Sequence, residues 1–474
     1  MPTPLLPRFM EIFRQWPAIL AAACVLAVDV FDSFGLDQQA DEQAARIIGT
    51  VTAPFYGGEG RPGQQAVTVV LIDDASLEYM NWPTPLPYDV QGDIVSALAA
   101  YEPAAIFFDF SYLRPHGQDP EGAIRRFADR VKLNAANGGP EIMIGEVGQG
   151  STFAPLRELR SVGVAWHEDT WLNYPMQDRR HVPMAAVALY NAWCARHEGE
   201  CAPNWTPPQV ADDQRPRRMS LTWGFGASTR PAELSADPQA ALAHECVMRD
   251  TSFGTRASVS FRESVGALGR EFFNSQQGGD TAEARCIYTD TFNAATLLVG
   301  NNMDAVEHLV RGRVVLVGAS HRQSADLQAI PGIGVVPGVY VHAMAVDNLI
   351  EYGPNYHRPP PDGFLDLDYA DVVEILLSIA LFCMVLLLVR ELQKRLPGGS
   401  DAERRARRRW LWVGGVVLAV VFVFGAAGIE YALHWPPLNV VGVILLVAVV
   451  FSYLERHENR LAQAPSGSDN LTQR

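Results

Sequence analysis

The chain has no surplus of positive charge: 38 Lys and Arg stand against 53 Asp and Glu, a formal net charge of −15. A nucleic-acid surface needs clustered cations, so nucleic acid is excluded as a partner. There is no internal repeat and no low-complexity tract. No serine sits in a G-x-S-x-G elbow and no H-E-x-x-H occurs, which removes two common hydrolase signatures. Neither "YGGEGRPGQ" nor "GIGVVPG" is a phosphate loop, and the second lacks the Lys-Ser/Thr pair that would hold a nucleotide. Cysteine is scarce, with 6 in 474 residues and none in a C-x-x-C arrangement, so metal binding through thiolates is disfavoured. No enzyme activity and no cofactor are expected.

The apolar residues that are present gather at the two ends. "VVEILLSIALFCMVLLLV", "WLWVGGVVLAVVFVFGAAGI" and "LNVVGVILLVAVVFSYL" are each long enough to cross ~30 Å of hydrocarbon. Trp410, Trp412, Tyr431, Trp435 and Tyr453 lie at their ends, where amphipathic rings favour the membrane interface. Gly414, Gly415, Gly425 and Gly428 would let spans approach closely. A shorter run, "WPAILAAACVLAVDVF", reads as a retained first span rather than a cleaved signal. Transmembrane helices are therefore expected at 16–36, 369–389, 410–429 and 438–454.

Arg8 and Arg14 precede the first span, and Arg390, Lys394, Arg395, Arg404, Arg405 and Arg407 to Arg409 fall between the second and third. Basic residues stay on the cytoplasmic side, so residues 1–15, the loop 390–409 and the tail 455–474 are placed inside. Residues 37–365 are then outside, in the periplasm of a bacterial inner-membrane protein. Four cysteines of that region, Cys194, Cys201, Cys246 and Cys286, are in a compartment that permits disulfides. Of three connectivities, Cys194–Cys201 with Cys246–Cys286 is preferred, with buried free thiols as the alternative.

The external region alternates strand and helix. "AVTVVLID" (66–73), "AAIFFDF" (104–110), "EIMIGEV" (141–147) and "RVVLVGAS" (313–320) read as buried strands. Segments 89–101, 122–134 and 339–353 read as helices, the first from Val90, Ile94, Val95 and Leu98 at helical spacing. Such alternation calls for an α/β domain with a mostly parallel sheet, beside an all-α membrane part of about four helices. Residues 195–285, richer in Pro, Arg and Asp, read as an irregular insertion.

Asp73 and Asp109 close strands that this reading takes as neighbours, so both would point into one crevice beyond the strands' carboxyl ends, where open α/β sheets bind ligands. Asp326 and His342 would join them, with Asp74 beside Asp73. Three acids and an imidazole could hold a divalent cation or hydrogen-bond a polar ligand. The plainer alternative is that Asp73 or Asp74 caps a helix turn with Ser76, and that Asp109 and Asp326 fix loops.

The stretches "VVLIDDASLEYMNWPTPLP", "PAAIFFDF" and "RGRVVLVGASHRQSADLQAIPGIGVVPGVYVHAMAVDNLI" together resemble the CHASE type 2 (CHASE2) sensory domain, an extracellular sensor associated with bacterial cyclases and histidine kinases. The resemblance rests on Ile72, Asp73, Ser76, Trp82, Pro83, Asp109, Gly318, Asp326, Pro331, Pro337, Gly338, His342, Ala343 and Asn348. One span before the sensor and three after it is that family's usual plan. Family members often carry an Arg shortly after Trp-Pro, and "WPTPLPYD" has none. They commonly continue into a catalytic output domain, whereas here about twenty residues follow the last span. The resemblance implies a sensor that binds a small-molecule or envelope ligand and signals through its spans to a separate cytoplasmic or membrane effector, as a monomer or a homo-oligomer. A scaffold in an envelope complex is the alternative, and a periplasmic metal-dependent enzyme a weaker one.

Overall fold

The computed structural model describes residues 36–57, 62–117, 119–146, 153–164, 174–178, 180–197, 201, 205–207, 218–226, 252–274, 287–299, 303–321, 326–330, 333–358, 360, 369–395 and 400–438. The chain divides into two compact units, one of residues 49–359 and one formed by the sequences on either side of it.

The 49–359 unit is built on strands β1 (Val67–Asp73), β2 (Ala105–Phe108), β3 (Glu141–Glu146), β4 (Arg160–Gly163), β5 (Asp290–Asn293) and β6 (Val314–Ser320). They form a six-stranded sheet in the order β4-β3-β2-β6-β1-β5, with every pairing parallel. Parallel strands covered on both faces read as largely apolar runs, and β1, β2 and β6 bury mostly Val, Ile, Leu and Phe, with Thr68, Ala105 and Gly318 among them. One face carries Val70, Ile72, Ile106, Phe108, Val315 and Val317. It packs on helices α4 (Tyr88–Ala99), α5 (Pro120–Ala136), α8 (Ala294–Val299) and α9 (Met303–Val310). Ile94, Leu98 and Phe127 fill that layer with no exposure, each burial stabilising by roughly 1.5–3 kcal/mol.

The opposite face is covered by α6 (Ala185–Arg196) and α10 (Val339–Tyr352). Gly318 of β6 makes that packing close: a Cβ there would stand 2.5 Å from Cβ of Val339. A two-stranded antiparallel hairpin, β7 (Leu327–Ile330) and β8 (Gly334–Pro337), leads into α10. Shorter helices complete the unit: α2 (Pro62–Ala66) before β1, α3 (Asp74–Tyr79) after it, and α7 (Phe253–Asn274) in the middle. Asn348 of α10 holds the backbone at Thr222: it donates to Thr222 O at 2.9 Å, Met344 O at 2.9 Å and Tyr56 Oη at 3.2 Å, and accepts from Thr222 N at 2.9 Å. Tyr56 in turn donates to the buried Asp347 carboxylate.

The other unit contains α1 (Leu36–Thr52, shared with the first unit), α11 (Tyr369–Arg395) and α12 (Asp401–Leu433). At 27 and 33 residues, α11 and α12 run about 40 and about 50 Å, more than the hydrocarbon thickness. Both show large apolar side chains outward, such as Leu387 and Val421, unlike core helices. Leu381, Val385, Phe422 and Ala426 pack between them, and Gly414 closes on Leu388. Gly425 and Gly428 meet nothing within 4 Å.

Two membrane-length helices are thus found among the described residues, not four. Residues 16–35 and 439–454 of the other two expected spans lie outside the described residues. The expected basic loop 390–409 is largely helical, because nothing breaks α11 before Arg395, and Ser400 with Glu403 forms a capping box that starts α12 at once. The expected irregular insertion contains α7, whose apolar pattern is masked by interspersed Gly, Ser and Arg.

Candidate functional site

The edge of interest is where β1, β6 and β2 end. Asp73 is the N-cap of α3, its Oδ1 accepting from Ser76 N at 2.7 Å. Ser76 is buried, and its Oγ accepts from Ala295 N at 3.4 Å, joining this turn to the start of α8. Asp74 is exposed in the first turn of α3. Trp82 packs against the core, with its backbone N–H on Leu77 O at 2.9 Å, and Pro83 beside it is exposed.

Asp109 follows β2, and its N–H extends the pairing onto Val317 O at 2.9 Å. Strand alternation aims its side chain at the face of Phe107, toward α10. There His342 Nε2 stands 3.9 Å from Asp109 Oδ1, longer than a hydrogen bond. His342 is fully buried, edge-on to Phe107 and Tyr174. Its Nδ1 lies 2.8 Å from Tyr174 Oη, which also accepts from Ala186 N at 3.2 Å. Burial pushes the His342 imidazole down to about 3, so it is neutral at ordinary pH.

Asp326 precedes β7. Its backbone O accepts from Gly338 N at 3.0 Å, and its carboxylate lies against Gly338, where a Cβ would collide with it. Gly338 has φ −58, so space for this carboxylate, not backbone freedom, is why glycine stands there. Pro337 closes β8 just before it. Burial holds Asp109 well above the usual carboxylate range and the neighbouring Asp326 raises it further; burial also raises Asp326, against the Gly338 N–H.

The expected five-residue crevice is thereby corrected. β6 lies between β1 and β2, so the strands of Asp73 and Asp109 are not neighbours but ~9–10 Å apart. Asp73 also pairs with Ser320, two rows beyond Gly318. The structure groups Asp109, Asp326 and His342 on one side of the α10 N-terminus; Asp73, occupied as a cap, lies on the other with Tyr340, whose Oη is 3.0 Å from Thr291 Oγ1. Among the described residues no group of three or more His, Cys, Asp or Glu is arranged to hold a metal ion. Cys194 and Cys201 are disulfide-bonded, Cα–Cα 5.6 Å, while Cys246 and Cys286 lie outside the described residues.

Sequence reasoning missed Tyr174, which orients His342 from a segment without periodic signal. It also missed the buried Arg313–Asp290 pair, 2.9 Å, at the opposite end of the sheet. Only Arg313, just before the apolar run of β6, carried a signal in the sequence.

A parallel α/β domain with acids at its carboxyl edge thus stands in a chain with two membrane-length helices. A family model for the CHASE2 domain matches residues 18–388, and the chain belongs to that family, an extracytoplasmic sensory domain and not a catalytic one. No curated protein and no solved structure matches it.

Proposed function

We propose that this protein is a multi-pass sensor of a bacterial inner membrane, with its α/β domain in the periplasm. The domain takes a ligand or partner at the Asp109–Asp326–His342 edge, and the membrane helices pass the change to a separate effector protein. The observation that carries this reading is the pair of carboxylates, Asp109 and Asp326, set into the carboxyl edge of a parallel sheet. That edge lies where β6 separates β1 from β2, the kind of place at which α/β sheets bind ligands. A two-state domain with one such site shifts its population toward the state that binds better. The test is affinity purification from native membranes, comparing the wild-type chain with Asp109→Ala and Asp326→Ala. A change in the bound proteins or small molecules supports the reading. An identical set from all three, with the variants folded, would overturn it.

A further inference from the structure

We propose that the adjoining ends of α11 and α12 form a binding surface for the phosphates of anionic lipid headgroups, built on Arg404, Arg405, Arg408 and Arg409. The inference goes beyond the sensory reading: it concerns the membrane unit alone and stands whether or not the Asp109 edge takes a ligand.

Charge and spacing come first. The chain as a whole is acidic, with a net charge of −15, yet residues 390–409 hold eight Lys and Arg against three acids. In α12 the arginines fall as two pairs four residues apart, Arg404 with Arg405 and Arg408 with Arg409, and Trp412 follows four residues after Arg408. That spacing puts all five on one face of a helix, and all five are exposed. Arg407, on the other side, is buried. Two of the acids serve other partners: Glu391 bridges Arg395 at 2.9 Å and Lys394 at 3.9 Å on its own helix, and Glu403 belongs to the capping box with Ser400.

Depth in the membrane follows from the helix. Its apolar part starts at Trp410, and Trp410 and Trp412, 58% and 57% exposed, are of the residue type that marks the headgroup level. Residues 401–409 then extend up to about 13 Å beyond the hydrocarbon. Cα–Cβ bonds tilt toward a helix N-terminus, here away from the hydrocarbon, so the Arg408 and Arg409 guanidinium groups reach outward among the headgroups. Gly414 closes on Leu388, which sets Arg390 about level with Trp412 and Lys394 about level with Arg408, so α11 brings its cations to the same depth. A planar guanidinium takes two phosphate oxygens at once, and four or more basic residues directly beyond a span favour an anionic lipid over a neutral one. An acidic protein would answer the same charge, but the two tryptophans put these arginines at lipid depth.

Native mass spectrometry of the full chain tests this, with the protein released from mixed micelles of phosphatidylglycerol and phosphatidylcholine in equal amounts and with the same acyl chains. The wild type should retain phosphatidylglycerol in preference, and less so as ionic strength rises. Each arginine removed should cut that preference about fivefold, the equivalent of about 1 kcal/mol. Arg405→Gln with Arg409→Gln should therefore lose about twentyfold or more. Both side chains are exposed, so the fold should persist, and orientation in a bilayer does not enter a measurement from micelles. Arg405→Lys with Arg409→Lys keeps the charge and should keep most of the preference. Equal retention of the two lipids by the wild type, or an unchanged preference in the Gln pair, would overturn the proposal. So would displacement of the lipid by inorganic phosphate, which would make this a site for a soluble anion. A copurifying protein lost from the Gln pair, with no lipid preference in the wild type, would give the face to a protein partner instead.

Discussion

At the residue scale, burial raises the Asp109 carboxyl and lowers the His342 imidazole, and those two directions fix how stability depends on pH. Asp109 has its folded value raised, so its contribution is complete below the unfolded carboxylate value near 4 and is lost as pH rises through the folded value. His342 has its folded value lowered to about 3, so its contribution is complete above the unfolded value near 6.5 and is lost as pH falls. From about pH 4 upward the two slopes oppose each other until one of the groups has titrated. Asp109→Asn should expose the histidine slope alone: thermal unfolding of the full chain should then show stability falling below about pH 6.5, by up to about 1.4 kcal/mol per pH unit. Where the wild type loses stability as pH rises through the folded Asp109 value, the variant should not. A variant that tracks the wild type throughout would show Asp109 to be ionised in the fold. Arg313 and Asp290 make the contrasting case, a buried ion pair at 2.9 Å in which Arg313 Nη1 also donates to Thr68 Oγ1 at 3.4 Å. Arg313→Ala removes one partner of a buried ion pair and should cost about 3–5 kcal/mol in chemical denaturation. Arg313→Met with Asp290→Val should cost much less.

At the element scale, what was legible in the sequence is what apolar periodicity encodes. "AVTVVLID", "AAIFFDF", "EIMIGEV" and "RVVLVGAS" became β1, β2, β3 and β6, and the helices expected at 89–101, 122–134 and 339–353 became α4, α5 and α10. Each is long or apolar enough for its period to show. Missed were β4 and β5, four residues each, whose burial comes from neighbours and not from their own composition, and α6, apolar on all sides and so without a period. Strand order was not legible at all. It places β6 between β1 and β2, and so separates Asp73 from Asp109, because pairing is decided by which helices cover which face. Gly318 records that arrangement. Gly318→Ala should force β6 and α10 apart at Val339 and lower stability by about 1–3 kcal/mol, read by denaturant midpoint at unchanged m-value. A neutral result would mean that α10 does not pack here so closely.

At the scale of the whole molecule, the basic residues decide which side of the membrane the sensor occupies. Arg390, Lys394 and Arg395 end α11, and Arg404, Arg405, Arg408 and Arg409 are exposed in the first turns of α12. Both groups sit on helix that continues past the apolar stretches, so neither has to enter hydrocarbon in the orientation proposed. Inverting the hairpin would carry them across the bilayer, and each arginine at mid-membrane costs about 2.5–3.5 kcal/mol on insertion scales. The cost is additive enough that no single arginine is decisive, whereas removal of the whole α12 group should be. Replacing Arg404, Arg405, Arg408 and Arg409 by Gln should therefore yield mixed orientations. Protease added to spheroplasts carrying the wild-type chain should digest the 49–359 unit and leave a fragment containing α11 and α12. With the four substitutions, part of the 49–359 unit should become protected while an exported control is still digested. A wild-type chain that resists the same treatment would place the sensor inside the cell, and the reading of Asp109 and Asp326 as a site facing the environment would fall with it.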